Sequence, residues 1–335
     1  MFMQPGIIAL LLGSGITLVL LAYASFLGVK IWRNWDIGSN SEAQLALERT
    51  TYLVSTLVKY GLLFEIVSVF LFIYTADDLH NLLVGAMCAT GSLNANSFGF
   101  PALYAKIAVL FLAAGWIALD SLDSKAEDYP LTKKKYKLLL LIVPFVVAGY
   151  VLQIKYFGGI DPNVITSCCG VLFSEGGTGV GSSLASLPVR PTEVVFYSLF
   201  LIIFFVGVIA LKSGRKLFMV LLALLSAFFF FVSIAAIVSF ISLYFYQIPT
   251  HHCPFDILQA GYYYAGYPLY VSLFAGSFFG TMAGVIQPLG RIKTLSAIIP
   301  AVQRRWTFIA LAAFTVFVLI TLIPIVFSPF TLEGY

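Results

Sequence analysis

Eight apolar runs, each long enough to cross a bilayer, restrict this chain before any single residue is considered. A helix spanning the hydrocarbon needs roughly 20 apolar residues, and only segments that satisfy their own backbone hydrogen bonds persist there. The runs cover Gly6 to Val29, Thr51 to Ala76, Pro101 to Leu119, Leu138 to Ile154, Thr192 to Leu211, Leu217 to Tyr246, Pro268 to Ile286 and Trp306 to Phe327. Composition agrees: 60% of the 335 residues are hydrophobic and 10% are charged, against about a quarter charged in soluble domains. The sequence therefore predicts an all-α polytopic membrane protein with eight transmembrane helices, forming one integral membrane domain over residues 1–335. The first run has no Lys or Arg before it and is followed by Lys30 and Arg33, so it reads as a span rather than a cleaved signal.

Cations retained on the cytoplasmic side orient such a bundle. Segments 30 to 51, 121 to 137, 212 to 216 and 289 to 306 carry Lys30, Arg33, Arg49, Lys125, Lys133, Lys134, Lys135, Lys137, Lys212, Arg215, Lys216, Arg291, Lys293, Arg304 and Arg305. Only Lys59, Lys106, Lys155 and Arg190 lie elsewhere. Both termini are then expected outside, and the net charge of +4 is an orientation signal rather than a nucleic-acid footprint. The expected location is a bacterial inner (plasma) membrane with the working face in the periplasm.

That orientation gathers His80, Cys88, Cys168, Cys169, His251, His252 and Cys253 into three outer loops, leaving the inner loops with no cysteine or histidine. The outer compartment is oxidising, so thiols there pair unless something keeps them reduced. The stretch His251-His252-Cys253-Pro254-Phe255-Asp256 is the densest part of this set. The preceding run is long and Phe-rich, which predicts tilt or projection that lifts the stretch towards a soluble partner. His80 reads as a solvated interfacial residue.

Within the membrane, the second run holds Lys59 and Glu65, read as the only charges well inside. Glu65 lies ~16 Å from the outer end of that run, and ionisable groups at such depth suggest a proton or quinone site. Six residues apart on one helix, the two point about 120° away from each other, so each needs its own partner. Ahead of this run, Ser39 and Glu42 have capping-box spacing. The basic loop containing Lys133-Lys134-Lys135 reads as an orientation anchor.

The first outer loop predicts a short interfacial helix around Leu79 to Met87, followed by a polar turn. Gly99-Phe100-Pro101 and Gly266-Tyr267-Pro268 open the third and seventh runs in similar words, with Cys88 and Cys253 placed 13 and 15 residues before the prolines. This is compatible with a parallel repeat of four plus four helices, halves 1–156 and 191–335 being joined by a Gly/Ser-rich outer loop at 157–190. Gly176 to Ser186 within that loop is expected to be mobile. Tyr262, Tyr263 and Tyr264 read as an aromatic belt.

Four outer cysteines support three chemistries. Structural disulfides can brace the loops, with three pairings open. A thiol and disulfide relay can use Cys88, Cys168, Cys169 and Cys253, with His252 lowering the pKa of its neighbour's thiol, Glu65 moving protons and Lys59 with Glu65 near a membrane quinone. A soft metal, copper or zinc, can be held by Cys88, Cys168, Cys169, His251, His252 and Cys253. The general layout of two cysteine pairs outside a helical bundle is similar to that of membrane disulfide-generating oxidoreductases, with no motif matching residue by residue. There is no Cys-x-x-Cys, no c-type haem signature, no histidine within a span, no phosphate-binding loop and no zinc-protease helix. The reading adopted is thiol-linked electron transfer between periplasm and quinone. The alternatives are soft-metal capture or delivery, and a non-catalytic membrane subunit docking a periplasmic protein.

Overall fold

The computed structural model describes residues 4–36, 38–39, 41–161, 166, 173 and 180–332. Among them there is no strand, and eight helices are long and apolar enough to cross a membrane. In chain order the α-helices are α1 (Pro5–Asn34), α2 (Glu42–Asp78), α3 (Ala89–Leu93), α4 (Gly99–Asp123), α5 (Thr132–Gly158), α6 (Val180–Ala185), α7 (Val189–Ser213), α8 (Lys216–Ala236), α9 (Ser242–Tyr246), α10 (Gly266–Val285) and α11 (Ile298–Phe327). A π-helical segment, Ile237–Ile241, joins α8 to α9 into one span. The chain forms two compact units: Met1–Leu79 with Leu93–Val164 and Ile292–Ile298, and His80–Ser92 with Ile165–Arg291 and Ile299–Tyr335.

The first unit is a ring of four helices in which α1 packs on α2 and α5, and α4 closes the ring against the same two. On α1 the buried stripe includes Ser14, Thr17, Ala24 and Gly28, while Leu12, Ile16, Val19 and Phe26 face outward. A helix in water would show the reverse. Where lipid is as apolar as leucine, helices associate through close approach of small residues instead. Gly13 shows the closeness: a Cβ there would fall inside the ring of Phe64 on α2.

Helix α2 begins at a different serine from the one the spacing suggests. Ser41 is the N-cap and accepts from Gln44 N at 3.3 Å, while Ser39 Oγ bonds the hydroxyl of Ser41 at 3.1 Å. Ser41 caps because it immediately precedes the first helical residue, Glu42, two places closer than Ser39. From there α2 runs unbroken for 37 residues.

Charge inside this unit is not confined to α2, which corrects the sequence reading. Lys106, Asp120 and Asp123 on α4 and Lys135 on α5 are all buried. Lys59 Nζ lies 2.8 Å from Asp120, and Lys135 Nζ lies 2.9 Å from both Asp120 and Asp123. Asp123 also accepts from Leu131 N at 2.7 Å and Thr132 Oγ1 at 2.9 Å, which locks the turn between α4 and α5. Lys135 is therefore a structural cation, and only Lys133 and Lys134 of the triplet are exposed.

In the second unit α8 packs against both α7 and α10. Helix α11 is joined through large side chains that enter small-residue notches: Phe314 fills the space over Gly276, and Leu311 the space over Gly207. Phe229 ties the layer together, its ring centroid 5.0 Å from Phe314 and 5.3 Å from Phe196.

One loop expectation is corrected. The helix expected around Leu79 to Met87 is only a 3-10 turn, Leu79–Leu82, and the next helix begins after Cys88. Within Gly176 to Ser186, residues Val180–Ala185 form α6. Helices α4 and α10 start at Gly99 and Gly266, the glycines two places before Pro101 and Pro268, so each proline lies in a first turn where its missing N–H forfeits no helical bond.

Candidate functional site

The second unit brings Cys88 and Cys253, 165 residues apart, to a sulfur separation of 3.5 Å. Both are fully buried. Cys88 immediately precedes α3, and its carbonyl accepts from Ser92 N at 3.3 Å. Cys253 lies in the loop that begins where Gln247 ends α9 in the left-handed conformation, φ 55°. The hydroxyl of Tyr246 folds this loop back on the helix, donating to Cys253 O and accepting from Ile257 N at 3.0 Å. Tyr270 on α10 donates to Pro254 O at 2.6 Å, and Gln259 Nε2 donates to Met87 O at 3.0 Å, tying the loop to the residue before Cys88.

Around the sulfur of Cys253 stand Thr90 Oγ1 at 3.3 Å, the backbone N of Phe255 at 3.4 Å and Asp256 Oδ1 at 3.3 Å, to which the thiol donates. The other carboxylate oxygen of Asp256 is taken by His251 Nε2. The His251 ring stands edge-on to Tyr246 at 4.8 Å, and Tyr262 packs on Tyr246 at 4.9 Å. Burial pushes the Asp256 carboxyl above its ordinary range, and a negative charge at Cys88 pushes the same way against the opposing bond from His251. The bond to Asp256 raises His251 against the opposing effect of burial. Both shifts point to a pair that holds a proton more tightly than either group does in water.

His252 faces the other way. Its Nδ1 lies 2.8 Å from Val238 O, inside the π-helical segment. A carbonyl only accepts, so Nδ1 carries the proton and Nε2 is the basic nitrogen of the neutral ring. The same carbonyl accepts from Ser242 Oγ at 3.4 Å, and π segments of this kind recur at functional sites. The thiol's ionisable neighbour is thus Asp256 rather than the adjacent histidine. Asp256 was missed because no Cys-x-x-Cys drew attention to Cys253-Pro254-Phe255-Asp256. The three-residue spacing, one turn of chain, was the available signal.

The stretch from His251 to Asp256 is not presented outward as its sequence position suggested: His252, Cys253 and Asp256 are all buried, because Tyr246 and Tyr270 bond its backbone. Cys168 and Cys169 lie outside the described residues. Glu65 and Lys59 belong to the first unit, paired with Lys106 at 3.7 Å and Asp120 at 2.8 Å. Among the described residues, the atoms grouped closely enough to hold an ion together are Cys88 Sγ, Cys253 Sγ and an Asp256 oxygen, all within 4.8 Å of one another. In this cluster Asp256 takes the place that the sequence reading allotted to His251 and His252.

No protein-family model matches this chain, and no match is found among curated proteins or solved structures. Two buried sulfurs in contact, with a carboxylate at hydrogen-bond distance, suit either reversible disulfide formation or coordination of a thiophilic ion.

Proposed function

We propose that this integral membrane protein is a thiol-linked redox protein in which Cys88 and Cys253 cycle between dithiol and disulfide. The supporting observation is the 3.5 Å sulfur contact beside the Asp256 carboxylate. Closing the bond removes two electrons and two protons from the thiols. Asp256 accepts the proton of Cys253, and His251, bonded to its other oxygen, balances the carboxylate's charge. A membrane quinone takes up both electrons and both protons to become a quinol. Cys168 and Cys169 are the proposed second pair, exchanging with soluble thiols on the face that the cation asymmetry assigns to the outside.

The test is reduction of a short-chain quinone by a small dithiol, followed by absorbance in reconstituted membranes. Loss of turnover in both Cys88→Ser and Cys253→Ser is the expected result, and undiminished turnover in either rejects the assignment. The three-ligand cluster favours a second reading, soft-metal binding by Cys88, Cys253 and Asp256. One zinc or copper per chain in protein purified without chelator, lost in Cys253→Ser, would establish that reading instead.

A further inference from the structure

The first unit contains a second polar site that cysteine chemistry does not use. Glu65 on α2, Lys106 on α4, and Gln153 and Tyr156 on α5 are all at least nine-tenths buried. Lys106 Nζ lies 3.7 Å from Glu65 Oε2 and 3.0 Å from Ser68 Oγ, and Ser68 Oγ is itself 3.3 Å from Glu65 Oε2. One carboxylate oxygen is thereby engaged. The other, Glu65 Oε1, has no hydrogen-bond partner among the described residues, and neither do Gln153 Nε2, Gln153 Oε1 or Tyr156 Oη.

These groups share one end of the bundle. Lys106 Nζ lies 5.9 Å over the ring of Phe72, and that ring is 5.6 Å from the ring of Tyr156. Gln153 is one turn further in on α5, and the residue a turn beyond it, Gly149, faces Ala105 next to Lys106. The polar series thus runs inward from the end marked by Asp78 and Gly158 to Glu65. Beyond Glu65 it thins: Thr17 on α1, buried against Gly61 of α2, sets a single hydroxyl among apolar side chains. Leu62, Leu21, Val109, Ala113 and Ile142 are buried towards the Lys59, Asp120 and Lys135 cluster.

An acceptor, an amide and a phenol left open in an apolar bundle call for a small ligand that both donates and accepts, and water meets that description. We propose that Glu65, held beside Lys106, is a proton-exchange site that water reaches along Tyr156 and Gln153 from the Asp78 end of the unit. The exchanged species is a proton, moving between water and the Glu65 carboxylate with no electron involved. Lys106 is the charged group facing it from α4, Tyr156 the titratable group contributed by α5, and α1 offers no charge along Pro5 to Val29. On its own helix Lys59 is committed to Asp120. The proposal stands whether or not the cysteines of the other unit turn over.

Infrared difference spectroscopy of the reconstituted full chain tests it, stepping between acid and alkaline buffers in water and in D2O. A protonated-carboxyl band should grow on acidification, shift promptly in D2O, vanish in Glu65→Gln and change frequency in Glu65→Asp. Gln153→Leu, which replaces the open amide with an apolar group, should slow the D2O shift by about tenfold or more. Thermal melting verifies that each variant is folded. If no band in the folded protein responds to either Glu65 substitution, or if Gln153→Leu leaves the D2O shift as fast as before, the proposal is overturned.

Discussion

At the scale of residues, Asp256 rather than either preceding histidine is bonded to the Cys253 sulfur. Its Oδ1 accepts from the Cys253 thiol while its Oδ2 is bonded by His251. A bare carboxylate would repel a forming thiolate, and the His251 cation offsets that repulsion. Mixed-disulfide formation between Cys253 and a small thiosulfonate should accordingly accelerate as pH climbs through the raised range in which this pair gives up its proton. In Asp256→Asn the acceptor is lost and the buried thiol must ionise without it, so labelling at neutral pH should fall by about tenfold. An unchanged rate would remove Asp256 from the mechanism. The stability linkage has the opposite slope. Because His251 titrates above its unfolded value, its contribution is complete below the usual imidazole range and fades as pH rises through the raised one.

At the scale of elements, small residues facing other helices' side chains decide the packing. Gly13 lies against Phe64, whereas a Cβ at Gly115 on α4 meets nothing within 4 Å. Gly13→Leu should therefore cost about 1–3 kcal/mol through overpacking. Gly115→Ala should be neutral or gain up to ~1 kcal/mol from helix propensity. Thermal unfolding of both variants in detergent compares them, and equal melting temperatures would show that the contact between α1 and α2 is not close-packed. The π-helical segment belongs to the same scale. Its carbonyl at Val238 receives His252, so an irregularity of the span sets the orientation of a loop side chain.

At the scale of the whole molecule, large apolar side chains face outward on both units, Leu12 and Phe26 in one and Phe228 and Phe231 in the other, as suits lipid rather than water. Orientation then rests on fifteen cations that the loop count places on one side. In a cysteine-less background, Tyr263→Cys, at a position 92% exposed, should react with an impermeant maleimide added outside intact cells. Lys134→Cys, also exposed, should react only after the membrane is opened. The reverse pattern would invert the topology and put the thiol site in the cytosol.

Hydropathy alone determined the number and approximate bounds of the spans, because a bilayer demands length and apolarity and little else from a helix. It also called for separate partners for Lys59 and Glu65, since helical geometry turns residues six apart away from each other. It did not supply the partners. Lys106 was set apart from the inner-loop cations yet not read as a membrane charge, because one-dimensional sorting assigns charge by side, not by depth. Only the tertiary structure decided that Cys88 meets Cys253 and that Asp256 reaches the sulfur. Contacts across 165 residues depend on how α3 and the loop after α9 pack, which no local periodicity encodes.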